Sequence, residues 1–78
     1  MNIEKYEKVF MEALGVSKEE LQGLHYQDVP AWDSVGHMDL VATLEDEFEI
    51  MFETDDIIDF NSFEKGIEIM STKYGIEF

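Results

Sequence analysis

The stretch from Trp32 to Ile50 constrains this chain more than any other: Trp-Asp-Ser-Val-Gly-His-Met-Asp-Leu-Val-Ala-Thr-Leu-Glu-Asp-Glu-Phe-Glu-Ile. It follows the only proline, Pro30, and opens on a helix-start signal, Asp33-Ser34. Asp and Ser side chains accept hydrogen bonds from the free N–H groups of a first turn, so a helix is predicted over residues 34–48. At about 100° per residue, Leu40, Val41, Leu44 and Phe48 fall on one side with His37 among them, an ordinary core stripe. Val35, Met38 and Ala42 fall on a different side, interleaved with Glu45, Asp46 and Glu49, with Asp39 on its edge. A small monomer needs only one apolar face. A second one, rimmed with acids, predicts a surface for a positively charged partner unless other helices cover it. The helix start also favours an anion, which gives the Ser34 hydroxyl a use beyond capping.

The rest of the chain reads as helices around this one. Residues 2–14 carry Ile3, Tyr6, Val9, Phe10, Ala13 and Leu14 at helical spacing, with Asn2 as cap and Gly15 as the left-handed stop. Residues 15–33 form a long connection. Its Ser17-Lys18-Glu19-Glu20 has the capping-box pattern of a short helical turn. Leu21, Leu24, Val29 and Trp32 are its anchors onto the core, while His25 and Tyr26 are assigned to the surface. Ile50, Met51 and Phe52 are expected to pack inward. Thr54 is expected to cap a brief helix with Asp55 and Asp56 in its first turn, where acids complement the dipole, and with Ile57, Ile58 and Phe60 as its apolar residues. Asn61 and Glu64 resemble a capping box for a last helix that buries Phe63, Ile67, Met70 and Tyr74 and stops at Gly75. Gly66 inside it implies a close helix contact. Only Ile76 to Phe78 has any strand character. The expectation is an all-α four-helix bundle with three longer helices, one short one and a long first loop.

Composition narrows the function. At 78 residues there is room for one domain, which buries only about 60% of its unfolded surface. No cysteine is present, so disulfides, thiolate metal sites and a cysteine nucleophile are excluded. There are 19 acids against 5 lysines and no arginine, a formal charge of -14. Nothing basic stands between Glu19 and Glu64, an interval holding 14 of the acids. Nucleic acid and anionic membrane surfaces are therefore poor partners. No apolar run is long enough to span a bilayer and none resembles a signal peptide, so a cytoplasmic monomer is expected.

Chemical sites are few. Ser34 and His37 stand three apart, but a hydrolase also needs a third group to orient the base, and an oxyanion hole. Trp32 occupies the position where a nucleophile elbow has glycine. Calcium-loop spacing fails in every register. Starting at Glu53, Asp55 and Glu64 fit, but Ile57 and Ile58 fall where a ligand and the glycine belong. Two separated histidines do not make a zinc site. What remains is a serine offered as an attachment point beside acids that attract basic enzymes.

Asp33-Ser34-Val35, followed by Met38-Asp39-Leu40-Val41 and Leu44-Glu45-Asp46-Glu47-Phe48, resembles the acyl carrier protein family over essentially the whole chain. The resemblance implies a four-helix bundle of the acyl-carrier type spanning 1–78 as one carrier domain. It implies 4′-phosphopantetheine on Ser34, with Asp33 helping to present the serine. It implies a non-catalytic role: the arm's thiol carries acyl groups as thioesters for fatty acid, polyketide or other specialised biosynthesis. The implied partners are a phosphopantetheinyl transferase and acyl-loading and acyl-using enzymes with basic surfaces. Val35, Met38, Asp39, Ala42, Glu45 and Asp46 would be the recognition surface. Leu44, Phe48 and Ile57 would line a cavity for an acyl chain. There are departures. Val35 replaces the usual leucine. Gly36-His37 stands where carriers of fatty acid synthesis usually have Asp-Thr or Asp-Ser, which removes an acid and loosens the first turn. The cargo is thereby left open, an aminoacyl or peptidyl group included. An unmodified acidic adaptor that binds a basic partner through the same face is the competing reading.

Overall fold

A computed structural model describes residues 1–78 as four helices with no strand: α1 (Asn2–Leu14), α2 (Ser34–Phe48), α3 (Thr54–Asp59) and α4 (Phe63–Lys73). Its radius of gyration is 11.2 Å, against about 11.5 Å expected for a compact chain of this length. No helix is long and apolar enough to cross a membrane.

One core cluster takes Tyr6, Phe10 and Leu14 from α1, Leu40, Val41 and Leu44 from α2, and Phe63, Ile69 and Met70 from α4. α1 packs along α2. The long loop fills the remaining side. Its Leu21, Leu24 and Trp32 are buried as anticipated, and Trp32 stands edge-on to Phe10 at 5.4 Å. Backbone bonds fix the loop to the α3–α4 junction: Tyr26 N–H donates to the Asn61 carbonyl (2.8 Å) and Phe63 N–H to the Leu24 carbonyl (2.9 Å). The predicted turn is a 3-10 turn at Lys18–Glu20, held by the Ser17 N–H on Glu20 Oε1.

Gly66 is the close contact that its place in a helix implied. A Cβ there would overlap the Tyr6 hydroxyl and stand 2.6 Å from the Phe60 ring. Removing that carbon lets Tyr6 pass over α4 and donate to the Phe63 carbonyl, 2.7 Å away. Burial, with Glu64 nearby, raises the Tyr6 phenol well above its ordinary pKa.

Several boundaries differ from expectation. Asn2 is the first residue of α1, not its cap, and its side-chain amide donates to the Glu77 carbonyl. Ala13 is exposed. The α3 cap is Glu53, one residue before Thr54. The α4 cap is Ser62, not Asn61: Ser62 is extended (φ -157°) and its oxygen accepts from Lys65 N–H at 3.0 Å. Asn61 has its carbonyl engaged by Tyr26 instead. Met51 is 78% exposed and does not pack inward; Ile58, at 72%, does not pack either. Ile69 is buried where the periodicity of α4 had pointed to Ile67 and Tyr74, which are only half-buried. The last residues pair with no strand. Gly75 (φ +69°) turns the chain back, and Phe78 packs against Tyr6 and Phe48.

Asp56 differs most from its expected role. It is not an exposed dipole partner but 3% exposed, accepting from Lys73 Nζ (2.7 Å) and the Tyr74 hydroxyl (2.6 Å). The Tyr74 oxygen in turn accepts from Glu53 N–H at 2.8 Å. These bonds tie α3 to the end of α4. The bonds from Lys73 and Tyr74 lower the Asp56 pKa, and the carboxylate raises that of Lys73.

Candidate functional site

α2 begins as the sequence indicates. Asp33 is the cap, in extended conformation (φ -102°), and its Oδ1 accepts from Gly36 N–H at 2.8 Å. Its carbonyl accepts from His37 N–H, also at 2.8 Å. Ser34 is therefore the first helical residue. It is exposed, and its hydroxyl has no hydrogen-bond partner in the chain. The N–H groups of Ser34 and Val35 are also without partners, because the cap serves only the later donors. An unbonded hydroxyl thus stands in water beside two free donors at a helix start.

Gly36 does not loosen this turn. A Cβ at that position would overlap the Ala31 carbonyl oxygen and lie 3.4 Å from Asp33 Oδ1. The loop backbone crosses the first turn of α2 so closely that only glycine fits. That crossing lets Trp32 drop into the core two residues before the exposed serine.

His37 holds the same corner from inside. The Trp32 indole N–H donates to His37 Nδ1 at 3.0 Å, and His37 Nε2 lies 2.8 Å from the Ile57 carbonyl. An indole N–H can only donate and a carbonyl can only accept, so His37 is the neutral Nε2–H tautomer. Both ring nitrogens are occupied, and neither bonds Ser34. The imidazole links the loop, α2 and α3, as the core-stripe position of His37 suggested.

The second face of α2 is open. Val35 is 70% and Met38 52% exposed, and Asp39, Ala42 and Asp46 are exposed with them. Glu45 is only partly so. Its Oε2 accepts from Phe52 N–H at 2.8 Å, which fastens the α2–α3 connection. Ala42, Glu45, Asp46, Ile50 and Met51 border a shallow depression of about 450 Å³ at the far end of this face. Met51 extends the apolar stripe past the helix end. Hydrophobicity alone had assigned it to the core, and only the left-handed turn at Glu49 (φ 55°) sends it outward. Asp39 and Asp46 have no cationic partner, since the chain's ion pairs lie on α1, α3, α4 and the loop.

Leu44 and Phe48 line no cavity. Leu44 is fully buried and Phe48 packs against Phe78. Ile57 alone of the three borders a depression, a cleft of about 220 Å³ shared with Tyr26, His37, Ile58, Phe60 and Asn61. Nowhere do three or more His, Asp or Glu side chains converge as metal ligands would. No family model matches this chain, and no curated protein matches it.

Proposed function

We propose that this chain is a carrier protein of the acyl-carrier type, modified with 4′-phosphopantetheine on Ser34. The observation that carries the reading is the Ser34 hydroxyl: exposed, unbonded, and at the start of a helix whose outer face is apolar, acidic and open. A phosphodiester formed there has the free N–H groups of Ser34 and Val35 beside it and the positive end of the α2 dipole beneath it. Asp33 holds the turn in shape through Gly36. Val35, Met38 and Ala42 offer apolar contact, and Asp39 and Asp46 attract basic enzymes. The arm's thiol would carry an acyl group as a thioester between a loading enzyme and an acyl-using enzyme.

The resemblance in sequence supports the same reading, as does the helical bundle with its long first loop. An unmodified adaptor would use the same face but leaves the freedom of the Ser34 hydroxyl unexplained. A serine hydrolase lacks a base, because His37 has both nitrogens committed elsewhere. The test is to incubate the protein with coenzyme A, magnesium and a broad-specificity phosphopantetheinyl transferase and read the intact mass. One added phosphopantetheine is expected for the native chain and none for Ser34→Ala. An unchanged native mass overturns the proposal.

A further inference from the structure

The loop that leads into α2 closes on itself before it reaches the helix. Gln27 N–H donates to the Trp32 carbonyl and Trp32 N–H to the Val29 carbonyl, both at 3.0 Å. Gln27 has φ +72°, a left-handed backbone that a residue with a Cβ adopts only where its surroundings impose it. The earlier part of the loop is fastened to the α3–α4 junction through Leu24 and Tyr26. Residues 27–32 have one hydrogen bond to α2, from the Trp32 indole to His37 Nδ1. Trp32 is fully buried, and that bond is the only one its indole makes.

The bond is sensitive to a proton. The Nδ1 lone pair that receives the indole exists only in the neutral ring, whereas an imidazolium carries N–H on both nitrogens. Protonated His37 keeps its bond to the Ile57 carbonyl through Nε2–H but meets the Trp32 indole donor to donor. A buried indole without an acceptor costs the full desolvation of that group. The link to α3 therefore survives and the link to the loop does not. His37 is half-buried, so water delivers the proton. Histidine changes charge between about pH 5 and 8. The rings packed on His37 are Trp32, Tyr26 and Phe60, and Tyr26, with its centroid 5.6 Å away, is the titratable one. On α2, Asp33 lies four residues earlier with its Oδ1 on Gly36 N–H. On α3, Asp55 and Asp59 are exposed, and Asp56 is bonded to Lys73 and Tyr74. The loop's other histidine, His25, is exposed beside Asp28. No carboxylate pairs with His37 to hold a charged ring in place.

We infer that His37 is a proton-sensitive latch between the first loop and α2, and that its neutral form is the positioning residue for modification of Ser34. The second half rests on the carrier reading above; the latch itself does not. With the latch closed, Trp32 fixes the chain two residues before Ser34, and the Ala31 carbonyl crosses the first turn at Gly36. With it open, that crossing loses its support from the core and Ser34 starts from a less ordered chain. Fixed geometry at a reacting group is what speeds its reaction.

The experiment titrates the unmodified protein from about pH 8 to about pH 5 and follows the Trp32 indole N–H and the His37 ring nitrogens by NMR. Trp32 is the only tryptophan, so its signal is unambiguous. The indole is expected to move upfield with the same midpoint at which His37 takes up its proton. His37→Gln, whose amide accepts from Trp32 and donates to Ile57 without titrating, is expected to hold the indole still across the range. His37→Asn, whose amide oxygen replaces Nδ1 alone, serves if glutamine is not tolerated. His25→Gln is expected to leave the native titration unchanged. A second arm measures initial rates of phosphopantetheine addition and takes the ratio of native to His37→Gln, or to His37→Asn, which cancels the pH dependence of the transferase. That ratio is expected to fall about fivefold across the range, the equilibrium worth of one ordinary hydrogen bond. An indole that stays put as His37 protonates, or a His37 that takes up no proton before the fold is lost, overturns the latch. A ratio that is flat with pH overturns the positioning of Ser34 and leaves the carrier reading standing. No mass gain at any pH removes the carrier reading and the positioning role with it, while the latch still stands or falls by the indole.

Discussion

At Gly36 one missing carbon decides how the loop meets α2. A methyl there would collide with a backbone carbonyl, which cannot swing aside as a side chain can. Alanine gains about 1 kcal/mol in helix propensity over glycine, but forced overpacking costs about 1–3 kcal/mol. Gly36→Ala is therefore expected to destabilise the protein in urea denaturation; a stabilised variant would contradict the close crossing. Asp33 and Ser34 are neighbours with opposite expectations. Asp33→Ala removes a formed cap and should cost about 1 kcal/mol. Ser34→Ala removes an oxygen that bonds nothing and should stay within about 0.5 kcal/mol of the native stability. The helix start was legible because capping is local chemistry. The need for glycine at 36 was not, because it arises from a carbonyl five residues earlier whose path depends on the folded loop. His37 lies between these cases: its place on the core stripe follows from periodicity, but its two partners do not.

Among the elements, α3 depends most on tertiary contacts. It has six residues, too few to be stable alone, and its hold on α4 is the Asp56, Lys73 and Tyr74 cluster. The Asp56 pKa is lowered in the fold, so its contribution is present above the unfolded carboxylate pKa, about 4. It is lost as pH falls through the lower folded value. The Lys73 pKa is raised, so its contribution holds below about 10.4 and fades as pH rises through the folded value. Thermal unfolding followed against pH should show an acid limb that Asp56→Asn flattens. An unaltered acid limb in that variant would show that other carboxylates carry it. The pattern of residues 54–60 identified a short helix but not this clamp. Acids in a first turn are usually solvated, and nothing local reveals a lysine and a tyrosine arriving from 17 and 18 residues away. The exposure of Met51 was hidden for a related reason. An apolar residue after a helix reads as core until the turn at Glu49 is known.

The whole molecule carries a charge of -14, with 19 acids set against 5 lysines. Its few ion pairs are mostly exposed and contribute little, so repulsion between acids outweighs attraction. Added salt should raise the melting temperature as the Debye length falls to about 10 Å at 0.1 M. A melting temperature that falls with salt would mean that the ion pairs dominate. The helical architecture was legible because periodic apolar positions mark core faces wherever packing is ordinary: Tyr6, Phe10, Leu40, Val41 and Leu44 are all buried as their spacing indicated. The open outer face of α2 was legible only as a choice between exposure and a covering helix, which the short α3 resolves by leaving Met38 and Ala42 uncovered. The account depends on the Ser34 oxygen serving as a tether, and intact mass after reaction with coenzyme A and a phosphopantetheinyl transferase tests that most directly. A gain of one phosphopantetheine on the native chain, absent from Ser34→Ala, is the predicted result; a native chain of unchanged mass, or a gain that persists in the variant, would contradict it.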